Sequence, residues 1–194
     1  MLRNCAVILG VALAAIAALV GVAMALRKSL ERERRLARTD DVTGVRNARA
    51  FREASLAEID RARRYQHPFS VACVDLGNRV GDELLRSAAA ALRGALRATD
   101  MIARLGRDEF IVLLPETPSA AARIVLEKLR TGLLDVRTAE GRQIAPSIGA
   151  VTFLNQPASF EEIVRATDER IAEAKATGAP SHLTWNAVPP AEGR

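Results

Sequence analysis

The sequence predicts an α+β sandwich with a mostly antiparallel central sheet, preceded by one transmembrane helix. After residue 40, apolar runs of strand length alternate with longer segments whose apolar residues recur at helical spacing. Two of these runs, 101–103 and 110–114, are bounded by glycine and charged residues, which is typical of a hairpin of buried strands. Residues 5–26 contain no charged residue and no proline, which is typical of a membrane span.

The uncharged segment 5–26 is long enough to cross a bilayer, because a helix of this length measures about 33 Å at about 1.5 Å per residue. Six basic residues follow it within 27–38, whereas only Arg3 precedes it. This asymmetry predicts a single-pass protein of the inner (cytoplasmic) membrane, with residues 1–4 as a tail and the C-terminal domain in the cytoplasm. A cleaved signal peptide is the alternative, since residues 23–25, Ala-Met-Ala, resemble a cleavage site.

The basic segment 27–39 is predicted to be a helical juxtamembrane stalk. It contains six basic and two acidic residues, and the net charge of the whole chain is +5. The rest of the chain is therefore close to neutral, which argues against a nucleic-acid partner, whereas the stalk is suited to contact anionic membrane lipid. Cys5 and Cys73 are spaced neither for a disulfide nor for a zinc site.

Residues 40–186 are predicted to form one domain, followed by a tail over 187–194. Apolar periodicity predicts helices at 47–65, 80–96, 118–134 and 159–177. Strands are predicted at 69–76, at the two hairpin runs, twice around Gly141 within 136–153, and at 181–185. The residues expected in the core are Val71, Cys73, Leu84, Leu92, Ile111, Leu113, Ile148 and Ile163.

The hairpin carries two adjacent carboxylates, Asp108 and Glu109, at its tip. In the predicted layout the carboxyl end of strand 69–76 lies beside this hairpin, which brings Asp75 close to both. Grouped carboxylates suit a hard cation such as Mg²⁺ that also binds phosphate oxygens. A charged, solvated turn is the alternative for the Asp-Glu pair taken alone.

Six segments, in order, resemble motifs of the GGDEF domain, the diguanylate cyclase family of bacterial cyclic di-GMP signalling. The resemblance covers about 39–181 and implies a polymerase-palm-like α+β fold. The segments are 40–47 (D-x-L-T-G-L-x-N in the family), 74–76 (the D-L that ends the first strand), 77–82 (G-H-x-x-G-D), 106–110 (G-G-[DE]-E-F), 147–149 (S-I-G) and 168–175 (D-x-A-L-Y-x-A-K).

The resemblance implies a homodimer in which each domain holds one GTP. Each 3′-hydroxyl attacks the α-phosphate of the other GTP, which gives cyclic di-GMP and two pyrophosphates. Two Mg²⁺ ions are implied, with Asp75, Asp108 and the Leu76 carbonyl as ligands. Asp108 or Glu109 would assist deprotonation of the hydroxyl.

The resemblance also implies contacts to the substrate from four residues. Asp82 would accept hydrogen bonds from guanine N1–H and N2–H₂, and Lys175 would contact phosphate. Asn78, which replaces the family's His, and Gly106 stand at substrate-binding motif positions.

The chain departs from the family pattern in ways that predict weak or lost cyclase activity. Leu76 runs directly into Gly77, where the family has about ten further residues that form a short helix with a guanine-reading Asn and a Lys near the phosphates. Arg107 replaces the second glycine of the signature, in a turn that often needs positive φ. Ala48 and Ile171 replace an Arg and a Tyr of the family. Each lost contact to base or phosphate costs about a few kcal/mol in the transition state.

Arg97 and Asp100 stand at the family's spacing for an inhibitory, product-binding site ahead of Gly106. An Arg guanidinium suits the O6/N7 edge of guanine. The alternative is an Arg97 that caps the end of a helix in an Arg-rich chain. Three functions stay open: a cyclase with residual activity, a non-catalytic cyclic di-GMP receptor, and a membrane-anchored dimerisation module that binds no nucleotide.

Overall fold

The computed structural model describes residues 19–24, 27, 38–77, 80–137, 141, 143–154 and 159–176, and the backbone of 183–188. It contains two compact units, residues 1–37 and 38–194.

The prediction of a transmembrane helix over 5–26, and of an inner-membrane location with it, is wrong on the described residues. None of their helices has the length and apolar character that crossing a membrane requires. Within the predicted span, the described residues 19–24 are helical. The rest of the predicted span, and residues 28–37 of the predicted stalk, lie outside the described residues.

The second unit contains a mixed sheet, which corrects the prediction of a mostly antiparallel one. The central pairs β3–β4, β4–β2 and β2–β5 are antiparallel, whereas the edge strands β1 and β6 pair in parallel with β3 and β5. The strands are β1 (Arg46–Asn47), β2 (Phe69–Asp75), β3 (Met101–Arg104), β4 (Glu109–Leu114), β5 (Ser147–Phe153) and β6 (Leu183–Val188), in the spatial order β1-β3-β4-β2-β5-β6.

The two edge strands depart from the predicted sheet for different reasons. The chain between β5 and β6 contains a helix, and a strand that returns through a helical crossover pairs in parallel. Strand β1 has only two residues, too few to produce a pattern, and Asn47 was predicted as the start of a helix. Around Gly141, where a first strand was predicted, the described residues contain an isolated bridge between Arg137 and Gln143.

Four helices cover the two faces of the sheet. They are α1 (Ala48–Tyr65), α2 (Asp82–Gly94), α3 (Ser119–Leu134) and α4 (Phe160–Ala176). Apolar residues of α2 and α3 pack with Ala72, Val74 and Val112 on one face, and those of α1 and α4 pack with Val71 and Ile111 on the other. Because both faces are covered, the central strands are continuous apolar runs. All eight residues predicted for the core are buried, which confirms that prediction.

Glu58 of α1 is a buried carboxyl that gives stability a pH dependence. Its side chain is 2% exposed, its Oε2 lies 3.2 Å from Arg61 Nη1, and its Oε1 has no hydrogen-bond partner. Burial raises the pKa of Glu58 above the ordinary 4.5, against the opposing charges of Arg61 and His67. The folded chain therefore holds this proton more tightly than the unfolded chain, and the free energy of unfolding falls as pH rises above 4.5.

We expect Glu58→Gln to raise the free energy of unfolding by about 1 kcal/mol at pH 7 and to leave it nearly unchanged at pH 4. The amide keeps the shape of the side chain and removes the buried charge. Urea unfolding of the full chain at both pH values measures this. Asp60→Asn, an exposed acid of the same helix, is the control and should show neither effect. Equal effects of Glu58→Gln at pH 4 and pH 7 would contradict the assignment.

Candidate active site

The carboxyl end of β2 and the hairpin tip 104–109 lie side by side. Asp75, the last residue of β2, is directly opposite Glu109, the first residue of β4, in the antiparallel register. One residue further on, the Leu76 N–H donates to the Asp108 carbonyl at 3.0 Å. The strand pairing therefore brings Asp75, Asp108 and Glu109 together where the central strands β2 and β4 meet the hairpin tip. We call this end of the sheet, defined by the three acids, the acidic edge.

Asp108 is buried, yet one of its carboxylate oxygens has no partner. The residue is 8% exposed, and Oδ1 makes no hydrogen bond. Leaving a buried acceptor unpaired costs about 1–3 kcal/mol, more when the group is charged. Such an oxygen is suited to a ligand that the polypeptide does not itself provide.

Asp75 differs from Asp108 because both of its oxygens are engaged. Oδ2 accepts a hydrogen bond from Lys175 Nζ at 2.5 Å, and Oδ1 accepts one from the Gly77 N–H at 2.7 Å. The side chains of Asp75 and Lys175 are 13% and 46% exposed. The hydrogen bond to Asp75 raises the pKa of Lys175 above its ordinary value, so the ammonium is charged at neutral pH. Lys175 comes from the last turn of α4, which thereby contacts the end of β2.

The donor atoms at this edge fit a hard cation. Carboxylate and carbonyl oxygens of the kind that Asp75, Asp108 and Leu76 offer are the ligands Mg²⁺ takes, and the unpaired Oδ1 of Asp108 is free for one. Across the described part of the chain, however, no three or more His, Cys, Asp or Glu side chains are grouped to hold a metal ion. Ligands from the backbone, from water or from substrate are therefore needed to complete such a site.

Glu109 lies against Gly106 in the hairpin. A Cβ built on Gly106 would lie 2.9 Å from Glu109 Oε2, a contact that the flexible Glu109 side chain can relieve by moving its carboxylate. Neither Gly106 nor Arg107 has a positive φ. The expectation that the turn strains Arg107 is therefore wrong, and what the exposed Arg107 changes is the space and charge at the hairpin tip.

Arg104 holds the hairpin in place, a role that sequence reasoning missed. Its Nη1 donates to Asp40 Oδ1 at 3.1 Å, while Nε and Nη2 donate to the carbonyls of Gly106 and Arg107 at 3.1 and 2.6 Å. Asp40 also accepts from the Thr43 N–H and hydroxyl. Burial opposes ionisation of Asp40, but these hydrogen bonds outweigh it and hold its pKa below the ordinary value. The only signal in the sequence is an Arg between a buried strand and the turn.

The predicted base-reading residue Asp82 begins α2 and is exposed. With Gly81, Arg104 and Arg107 it lines a cleft of about 380 Å³ beside the hairpin. Asn78 lies outside the described residues. Gly77 has a φ of +85°, and the chain passes from the end of β2 at Asp75 to the first residue of α2 at Asp82.

Arg97 and Asp100 form a closed turn between α2 and β3. The Arg97 N–H donates to Asp100 Oδ2 at 2.8 Å, and the Asp100 N–H donates to the Arg97 carbonyl at 3.1 Å. Helix α2 ends at Gly94, and its last-turn basic residue is Arg93, so Arg97 lies beyond the helix end. A cleft of about 410 Å³, lined among others by Arg46, Arg93, Arg97 and Asp100, opens at this turn.

A comparison with protein families identifies the domain. The model for "Diguanylate cyclase, GGDEF domain" matches residues 37–181. The chain belongs to the GGDEF domain family. This family acts in cyclic di-GMP signalling, and its cyclases generally use Mg²⁺.

Two curated relatives and one solved structure agree with the assignment. The response regulator PleD of Caulobacter vibrioides is 30% identical over 168 residues, which cover 79% of this chain and 37% of PleD. The diguanylate cyclase DgcP of Pseudomonas aeruginosa is 33% identical over 169 residues, which cover 80% of this chain and 25% of DgcP. The chain thus spans much less than half the length of either relative.

The GGDEF fold is also found in solved structures. The diguanylate cyclase SiaD of Pseudomonas aeruginosa, crystallised with its activator SiaC, superposes with a TM-score of 0.68 at 25% sequence identity, covering 89% of this chain and 72% of SiaD.

Proposed function

We propose that this GGDEF protein catalyses the family reaction, 2 GTP to cyclic di-GMP and two pyrophosphates, weakly or not at all. The direct passage from β2 to α2 carries this proposal. The family's guanine-reading helix would stand between Leu76 and Gly77, and here those residues are consecutive. Guanine would then be held mainly by Asp82, and a misplaced base moves the α-phosphate away from the attacking hydroxyl.

The remaining site residues keep assignable roles. Asp75, Asp108 and the Leu76 carbonyl would hold Mg²⁺, which when bound stabilises the attacking and leaving oxygens. Glu109, across the strand pair from Asp75, would accept the proton of the 3′-hydroxyl. Lys175, which is bonded to Asp75 here, would contact phosphate. Because one GTP supplies the nucleophile for the other, the reaction requires a homodimer.

A turnover assay tests this proposal. The full chain is incubated with GTP and Mg²⁺ beside an intact GGDEF cyclase, and cyclic di-GMP is separated by chromatography. We expect a rate at least about a hundredfold below that of the intact enzyme, which corresponds to about 2.7 kcal/mol in the barrier. The Asp108→Asn variant lacks a proposed Mg²⁺ ligand, and its rate of cyclic di-GMP formation serves as the background of the assay. A rate equal to that of the intact cyclase would refute the proposal.

A second candidate function, a cyclic di-GMP receptor, is favoured by the cleft at Arg97 and Asp100. This cleft is lined by three arginines, Arg46, Arg93 and Arg97, and by none of the three acids at the hairpin edge. Cyclic di-GMP is a dianion whose guanine edges suit a guanidinium and a carboxylate. Loss of catalysis at the hairpin therefore leaves this cleft able to bind.

We expect the full chain to bind cyclic di-GMP at about micromolar concentration, about −8 kcal/mol, without Mg²⁺. Arg97→Ala should abolish binding, because it removes the guanidinium nearest the turn, whereas Asp108→Asn should leave the affinity unchanged. Titration calorimetry measures both, with the exposed Arg64→Ala as a matched control for loss of one positive charge.

The absence of heat at roughly a hundred micromolar cyclic di-GMP would remove the receptor function. It would favour instead a dimerisation module that binds no nucleotide. Equal losses for Arg97→Ala and Arg64→Ala would show that net charge, and not this cleft, determines binding.

A further inference from the structure

We propose that the Lys175 ammonium occupies a cation position at Asp75 and excludes a divalent cation until an anionic phosphate draws it away. The inference deepens the proposed function, since it concerns the same acidic edge. It makes Lys175 a positioning residue that couples cation binding to phosphate binding.

The first step is the charge pairing at Asp75. Its Oδ2 is bonded to Lys175 Nζ at 2.5 Å, and its Oδ1 to the Gly77 N–H at 2.7 Å. A divalent cation that takes Oδ2 must displace the ammonium, and one that binds beside it meets a like charge at close range. Either route weakens cation binding while Lys175 stays in place.

The second step is the contrast with Asp108. The buried side-chain Oδ1 of Asp108 has no hydrogen-bond partner. The backbone carbonyl of Asp108, in contrast, accepts a hydrogen bond from the Leu76 N–H next to the end of β2. One carboxyl group at this end of the strands, Asp75, is thus paired with Lys175, whereas Oδ1 of the other, Asp108, has no partner. A divalent cation binds firmly beside Asp108 only when Asp75 is also available as a ligand, because one carboxylate alone holds Mg²⁺ weakly.

The third step is the freedom of Lys175 to move. It lies in the last turn of α4 and its side chain is 46% exposed, so the ammonium can leave Asp75 without unpacking the helix. A phosphate group in front of the edge offers it an anion of higher charge than a carboxylate. Transfer of Lys175 to phosphate frees Asp75, so phosphate and divalent cation should bind cooperatively.

Titration of the full chain with Mn²⁺ in the absence of nucleotide tests the proposal. Calorimetry, or the electron paramagnetic resonance signal of free Mn²⁺, gives the dissociation constant. We expect Lys175→Gln, which keeps a hydrogen-bond donor and removes the charge, to bind Mn²⁺ at least about tenfold more tightly than the unmodified chain. Lys175→Arg should bind as weakly as the unmodified chain. Lys128→Gln, an exposed lysine of α3, is the matched charge control and should change nothing.

The double variant Lys175→Gln with Asp75→Asn tests whether the ion binds at Asp75. It should bind Mn²⁺ no more tightly than the unmodified chain. Thermal unfolding of each variant verifies that it is folded, and Lys175→Met serves if the amide variant is not. A dissociation constant for Lys175→Gln within twofold of the unmodified chain would overturn the proposal. The proposal would also be overturned if the double variant kept the tighter Mn²⁺ binding, or if Lys128→Gln bound Mn²⁺ as tightly as Lys175→Gln. Because no GTP is turned over, these results do not depend on whether the cyclase reaction is lost.

Discussion

Gly149→Ala should lower the free energy of unfolding of the domain by about 3 kcal/mol or more. Gly149 lies in β5 beneath helix α4. A Cβ at this position would lie 2.5 Å from the backbone nitrogen of Ile171 and 2.6 Å from the backbone carbon of Arg170. Backbone atoms cannot rotate away as side chains do, so the whole helix must move off the sheet.

Urea unfolding of the full chain measures this effect, and Gly132→Ala is a matched control with the opposite sign. Gly132 lies inside α3, where a Cβ would meet the Ala91 carbonyl oxygen at an ordinary 3.7 Å. Alanine in a helix interior is favoured over glycine by about 0.5–1 kcal/mol, so this variant should be slightly more stable. A loss below about 1 kcal/mol for Gly149→Ala would mean that α4 does not rest on β5 as closely as described.

The same contact links the fold to the site. Helix α4 rests on β5 at Gly149 and carries Lys175 one turn beyond Ile171 to the Asp75 carboxylate. Displacement of α4 would therefore separate Lys175 from Asp75 as well as reduce stability. This explains in physical terms why a small residue in β5 matters to the acidic edge, although Gly149 contacts none of the acids itself.

The central strands could be predicted from the sequence, because strands buried on both faces appear as long apolar runs. The antiparallel pairing of β2 and β4 then follows, and with it the proximity of Asp75 to Asp108 and Glu109. The edge strands were harder, since β1 has two residues and the direction of β6 depends on the helix that precedes it. Neither the presence of a two-residue strand nor the direction of an edge strand can be read from local sequence patterns.

The contacts that complete the site lay beyond sequence reasoning for a different reason. Arg104 meets Asp40 across 64 residues, and Lys175 meets Asp75 across 100 residues. Pairings of this kind depend on how helices and loops pack on the finished sheet, and many Arg and Lys residues of this chain are equivalent in sequence alone. The resemblance to a family assigned Lys175 to phosphate, whereas its partner within the chain is Asp75.

Restoring the family's missing helix should raise cyclase activity by about a hundredfold or more. The change inserts the ten-residue family pattern D-x-F-K-x-x-N-D-x-x between Leu76 and Gly77, together with Arg107→Gly. Under the proposed function, the Asn would add a second contact to guanine, and the Lys would add a charge near the phosphates. The insertion point suits a longer loop, because Gly77 has a φ of +85° and a Cβ at Gly77 or Gly81 would meet nothing within 4 Å.

Three matched variants separate the contributions to this gain. An insertion of equal length made of Gly and Ser tests chain length alone, and should give no more cyclic di-GMP than the unmodified chain. Arg107→Gly alone should give a small gain in activity, because it clears the hairpin tip but would leave Asp82 as the main proposed contact to guanine. The insertion alone should give most of the increase. Full activity from Arg107→Gly alone would instead place the main defect at the hairpin tip, where Arg107 adds bulk and charge to a turn that Arg104 already holds in place.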